Sequence, residues 1–128
     1  DRSVSRGLGD VYKRQVYNEA FSELDVDLVL SGHDHLYART YLMKGMKSTG
    51  NASGLKKQGE TLYLSGTSST GSKFYEKESG KKGYIAFYDG ETEKTPLISA
   101  ITIQGKTLTI KTVRTTDMSV FDEITIRK

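Results

Sequence analysis

The chain has two histidines in 128 residues, and they stand one residue apart: His33 and His35, in the stretch LVLSGHDHLYART. A neutral imidazole offers a ring nitrogen to a metal ion and needs no redox partner to do so. The pair follows an apolar run, Leu28-Val29-Leu30, and a Ser31-Gly32 step. Glycine at that point permits a tight turn and close backbone approach. Histidines at the C-terminal end of a strand can project into one cavity, and in open α/β sheets that edge is where ligands bind. This is metal-site chemistry, yet two ligands do not close a site. A catalytic zinc normally has three protein ligands, and a two-metal site needs more. The bland alternative is two surface histidines in a loop, since short motifs also arise by chance.

Such a pair needs elements to hold it. Val16, Tyr17, Ala20, Phe21 and Leu24 recur at helical spacing and predict a helix over 16–24. Asp25-Val26-Asp27 breaks the period. Leu28 to Leu30 is a short continuous apolar run, which predicts a strand buried on both faces. Residues 44–60 are rich in Gly, Ser and Lys and read as a long exposed loop. Thr61 to Leu64 reads as a strand and leads into a Gly/Ser/Thr loop, SGTSSTGSK. Tyr84 to Tyr88 fits strand or helix. From Leu97 the pattern is β: LISAITIQ, a turn at Gln104–Lys106, then TLTIKTVRT with Leu108 and Ile110 on one face, and a last strand in VFDEITIRK.

Bulk composition narrows the classes. With 35% hydrophobic and 27% charged residues, the chain fits one globular domain with a core. No apolar run reaches the roughly 18–20 residues needed to cross a bilayer. The absence of cysteine excludes disulfides, thiolate zinc sites and cysteine nucleophiles. The formal charge of +3 is too small and too scattered to indicate nucleic acid. Residues 1–15, DRSVSRGLGDVYKRQ, show no hydrophobic period and resemble a translated sequencing-adapter scar. They read as a non-native or disordered leader, leaving 16–128 as the folded part. The leader holds four of the 19 basic residues and two of the 16 acidic ones, so the remainder is close to neutral.

Other His-x-His sites fit less well. Cupin-type sites want a glutamate about four residues on, where Arg39 and Thr40 stand. Amidohydrolase barrels need many βα units afterwards, and this chain turns all-β. DVDLVLSGHDHLYART instead resembles the Gly-His-x-His motif of the calcineurin-like metallophosphoesterases. Tyr37 and Arg39 after the histidines make it similar to the purple acid phosphatase branch. TLYLSGTSSTGSKFY and ITIQGKTLTIKTVRT with VFDEITIRK resemble the loop, hairpin and final strand that follow in that family. The resemblance covers about residues 16–128. The family's upstream aspartate, Gly-Asp, Gly-Asn-His and further histidine motifs are not in this sequence.

The resemblance implies an α/β fold: the C-terminal portion of a four-layer α/β/β/α sandwich, with helix and strand at the start and an antiparallel β tail. It implies hydrolysis of phosphate esters by the complete protein, through two metal ions (Fe, Zn or Mn) that turn a bound water into the nucleophile. His33 and His35 would each ligate one metal. Asp34 would either orient an imidazole or be an exposed loop carboxylate. Tyr37 and Arg39 would either contact phosphate, for which a guanidinium fork is suited, or pack and brace the loop. The partners implied are a phosphate-ester substrate and the N-terminal part of the same domain, without which this chain would be inactive. An extracellular or cell-envelope location rests on resemblance alone. The competing class is a non-enzymatic β-rich binding module in which the histidines are incidental. Asn51-Ala52-Ser53 also fits a glycosylation sequon, a pattern that arises readily by chance.

Overall fold

The computed structural model describes residues 11–32, 37–66, 83–89 and 95–128, with the backbone alone for 11–14, 88 and 89. The elements are α1 (Val11–Glu23), β1 (Leu28–Ser31), β2 (Tyr37–Thr40), β3 (Met43–Lys44), β4 (Lys47–Ser48), β5 (Gly54–Leu55), β6 (Leu62–Ser65), β7 (Ile85–Asp89), β8 (Leu97–Gln104), β9 (Thr107–Arg114) and β10 (Val120–Arg127). One sheet runs β1-β6-β2-β7 and a second runs β5-β10-β9-β8. In the first sheet β1 and β6 are parallel, and β2 is antiparallel to β6 and β7.

The core forms where the two sheets face each other. Tyr37, Leu42, Leu62 and Leu64 on one side meet Leu97, Ile110, Ile124 and Ile126 on the other. Alternation explains the choice, because residues two apart share a face. Burying each such side chain contributes roughly 1.5–3 kcal/mol. The expected hairpin is present: β8 and β9 pair from Leu97↔Arg114 to Gln104↔Thr107, around Gly105-Lys106. Gly105 takes φ +58°, a conformation that glycine adopts without steric cost. Ile110 is fully buried and Leu108 packs against the same core, as the alternation predicted.

The helix differs from the sequence reading in both length and packing. It begins at Val11, five residues before the expected start. Its apolar stripe is only partly used: Phe21 stacks with Tyr17 and meets Tyr63 at 6.4 Å, but Val16, Tyr17 and Leu24 are exposed. The helix ends in a Schellman motif, with Val26 N–H donating to Phe21 C=O and Asp25 N–H to Ser22 C=O. Asp25 holds the left-handed position, φ 55°, that glycine usually takes.

Two further expectations are corrected. Leu28–Leu30 is a strand, but it is not buried on both faces: Leu28 and Val29 are half-buried and Leu30 is 56% exposed. Among the described strands it lies at the sheet edge, with β6 as its neighbour. Nor is 44–60 a long exposed loop. It carries β4, β5 and half of the β3–β4 hairpin, and Lys56 and Glu60 are buried. The Lys56 side chain is 2% exposed, and its ammonium sits 2.7 Å from Asp25 and 3.1 Å from Asp27, with Lys128 3.1 Å from Asp27. Asp25 also accepts from Gly59 N–H. A lysine-rich stretch looked solvated because composition does not show that a buried charge has found partners.

Layering is therefore a helix over one sheet and a second sheet beneath it. A fourth layer is not among the described residues. No helix among them is long and apolar enough to cross a membrane.

Candidate functional site

The C-terminal edge of the first sheet is where the sequence placed its chemistry. Ser31 closes β1, Ser65 closes β6, and Ala38 stands at the start of β2. Ser65 pairs with Ser31 on one side and with Ala38 on the other. The described chain leaves the sheet at Gly32 and returns at Tyr37; with β6 between β1 and β2, the two ends stand about two strand spacings apart, roughly 10 Å. His33, Asp34 and His35, the expected ligands and their neighbour, lie outside the described residues. So does the Gly/Ser rim from residue 67 onward. Ser65 Oγ is buried at this edge without a hydrogen-bond partner among the described residues.

Tyr37 and Arg39 lie on the inward face of β2, between the two sheets. Tyr37 is 1% exposed and Arg39 is 8% exposed. Both reach Asp122 of β10. The Tyr37 hydroxyl donates to Asp122 Oδ2 at 2.7 Å and lies 3.3 Å from Thr112 Oγ1. Arg39 Nε donates to Asp122 Oδ2 at 2.8 Å, and Nη2 donates to Oδ1 at 3.0 Å. Such a two-pronged guanidinium–carboxylate pair is directional as well as strong. Three aromatic rings enclose it, with Tyr37, Phe87 and Phe121 meeting edge to face at 5.2–5.7 Å. The Arg39 guanidinium also lies 5.8 Å from the Phe87 ring centre. Burial pushes the Tyr37 phenol well above its ordinary pKa, against a lowering by Thr112, and the Asp122 carboxylate raises it further.

Asp122 was not singled out by the sequence, although a signal was there. In VFDEITIRK, Asp122, Ile124 and Ile126 share a parity, and the last two are core positions. An acid at a core parity must have a buried partner. The arginine that answers it lies 83 positions away.

The metal expectation can be tested on donor chemistry. Two neutral imidazoles are suitable donors in kind. Two are fewer than the three or more protein ligands a catalytic metal site uses; among the described residues no group of three or more His, Asp or Glu is placed to hold a metal ion. The described residues do not by themselves make a metal centre, and no chemical step is derived through one. An open groove of about 440 Å³ lies elsewhere, on the second sheet, lined by Ser53, Gly54, Glu123, Ile124, Thr125 and Arg127. Its lining includes none of Tyr37, Arg39 and Asp122.

No family model matches this sequence, and no curated protein is significantly similar to it. Among solved structures, the fold matches that of purple acid phosphatase PPD1 from yellow lupin (Lupinus luteus) seeds, with a TM-score of 0.70 and 19% identity. The match covers 86% of this chain and 19% of the lupin chain. This chain thus spans about a fifth of the length of that enzyme. Over that portion, the two facing sheets and the helix among the described residues resemble part of the fold of a purple acid phosphatase.

Proposed function

We propose that this chain belongs to a metal-dependent phosphoesterase and contributes His33 and His35 as metal ligands. The observation that carries the reading is the coincidence of two independent features. The fold is like that of a purple acid phosphatase over most of the chain. The His-Asp-His stretch connects β1 to β2 at the sheet edge where α/β folds bind ligands. Two metal ions of the Fe, Zn or Mn type would supply the hydroxide nucleophile and polarise the phosphoryl group. The chain is read as the C-terminal part of that enzyme, with the remaining ligands and the general acid upstream, and 1–15 as a leader not native to it. Tyr37 and Arg39 brace rather than contact phosphate in this reading, because their polar atoms are engaged by Asp122. Asp34 remains either an orienting carboxylate or a solvated one.

The test uses the full reading frame that contains this chain. It should hydrolyse a generic ester such as p-nitrophenyl phosphate or its diester and retain metal on purification. His33→Ala and His35→Ala should each remove most of the rate and lower metal content, while the 128-residue chain alone should show no activity with added Zn²⁺ or Mn²⁺. Near-wild-type turnover and metal content in the double alanine variant would falsify the ligand assignment. In that case the β-rich binding module becomes the better description.

A further inference from the structure

We propose that Asp122, on the last strand, is a positioning residue for the β1–β2 connection, and this rests on the phosphoesterase reading above. The connection that carries His33 and His35 has two described ends. The first, Ser31, is held by its pairing with Ser65. The second, Tyr37, begins β2, and β2 is short: it pairs with β6 through Ala38↔Ser65 and Arg39↔Leu64. It pairs with β7 through Tyr37↔Asp89, Ala38↔Tyr88 and Arg39↔Phe87, and that register shifts before Thr40↔Ile85. These ladders hold β2 within the first sheet but do not fix it against the second.

Asp122 supplies the missing constraint. It accepts three hydrogen bonds from β2, one from Tyr37 and two from Arg39, all between 2.7 and 3.0 Å. Tyr37 and Arg39 are two apart and so lie on one face. A slip of one residue would turn both polar groups away from Asp122 and strand its carboxylate in the interior. That error is strongly disfavoured, because a buried charge left unpaired is destabilising. The carboxylate is itself set by the second sheet. Asp122 pairs with Thr112 of β9, and Thr112 Oγ1 lies 3.3 Å from the Tyr37 hydroxyl and 2.7 Å from Ser99 Oγ. The β tail thus reaches across the core to fix where the histidine-bearing connection ends. Asp122 acts through Tyr37 and Arg39 and does not touch substrate.

The experiment separates positioning from stability. In the 128-residue chain, backbone amide resonances are compared for wild type, Asp122→Asn, the milder Tyr37→Phe, and the double variant Arg39→Met/Asp122→Leu. The amides of Ser31–Ala38 should move in all three variants, while those around the β8–β9 turn stay in place. Replacing a buried ion pair by apolar side chains of similar size is often neutral for stability. The double variant should therefore regain a near-wild-type unfolding midpoint without regaining the wild-type resonances of 31–38. In the full reading frame, kcat for ester hydrolysis should fall by about 100-fold in the double variant, the scale of an ångström-sized misplacement, with KM little changed. Resonances of 31–38 that match wild type in Tyr37→Phe and in the double variant would overturn the inference. So would a double variant that recovers both stability and kcat. If the wild-type reading frame hydrolyses no ester, the phosphoesterase reading fails, and the resonance comparison still decides whether Asp122 positions the connection.

Discussion

Leu62 and Leu30 offer a controlled comparison within one sheet. Both belong to paired strands, and the register is Leu28↔Leu62 and Leu30↔Leu64. They differ in surroundings: Leu62 is 0% exposed and Leu30 is 56% exposed. Truncating a core leucine to alanine removes its transfer free energy and leaves a cavity, at about 2–5 kcal/mol. Leu62 lies on the central strand of the core cluster, with β1 on one side and β2 on the other, so its site has little room to collapse. We expect about 3 kcal/mol for Leu62→Ala. Leu30 keeps less than half of its surface from water, so Leu30→Ala should cost under about 1 kcal/mol. The gap of about 2 kcal/mol corresponds to roughly 1 M in urea midpoint for a small protein. Urea titrations followed by circular dichroism at neutral pH measure it directly. If the two variants lose stability equally, Leu30 is packed on a second face, and the edge-strand description of β1 is wrong.

Other perturbations test the buried polar groups. Arg39→Met should destabilise the chain by about 3–5 kcal/mol, because it leaves the Asp122 carboxylate buried with Tyr37 alone; a loss below about 1 kcal/mol in denaturant titration would show that water reaches Asp122. The buried hydroxyl of Tyr63 has no hydrogen-bond partner among the described residues, and burial pushes its phenol up to about 12. Since the folded state favours the neutral phenol, this contribution is whole below pH 10 and is lost as pH rises toward about 12. Tyr63→Phe should therefore match or exceed wild-type stability, by about 1 kcal/mol, and flatten the alkaline limb of the stability curve; a clear loss at neutral pH would reveal an unseen partner for the hydroxyl. Asp25 is held below the ordinary carboxylate value by hydrogen bonds from Lys56 and from Gly59 N–H. Its contribution is present above that ordinary value and lost as pH falls through the folded one, so Asp25→Asn should weaken the acid-side dependence of the unfolding midpoint, and an unchanged acid limb would contradict the pairing.

Local patterns were legible in the chain wherever a single period or motif governed them. The hairpin of β8 and β9 could be read because alternation and a glycine turn are properties of neighbouring residues. The helix–strand opening could be read for the same reason. What the chain did not show was which residues find each other across the core. Leu30 looked buried because apolar runs usually are, yet burial depends on what lies opposite, and that is not a local property. Lys56 looked solvated until the left-handed turn at Asp25 and the neighbouring Asp27 were brought to it. Asp122 looked like one acid among many in a strand. Only the tertiary structure brought it to Arg39, because the facing of two sheets is decided by the sum of many weak apolar contacts, and the buried charge must then take whatever partner that packing supplies.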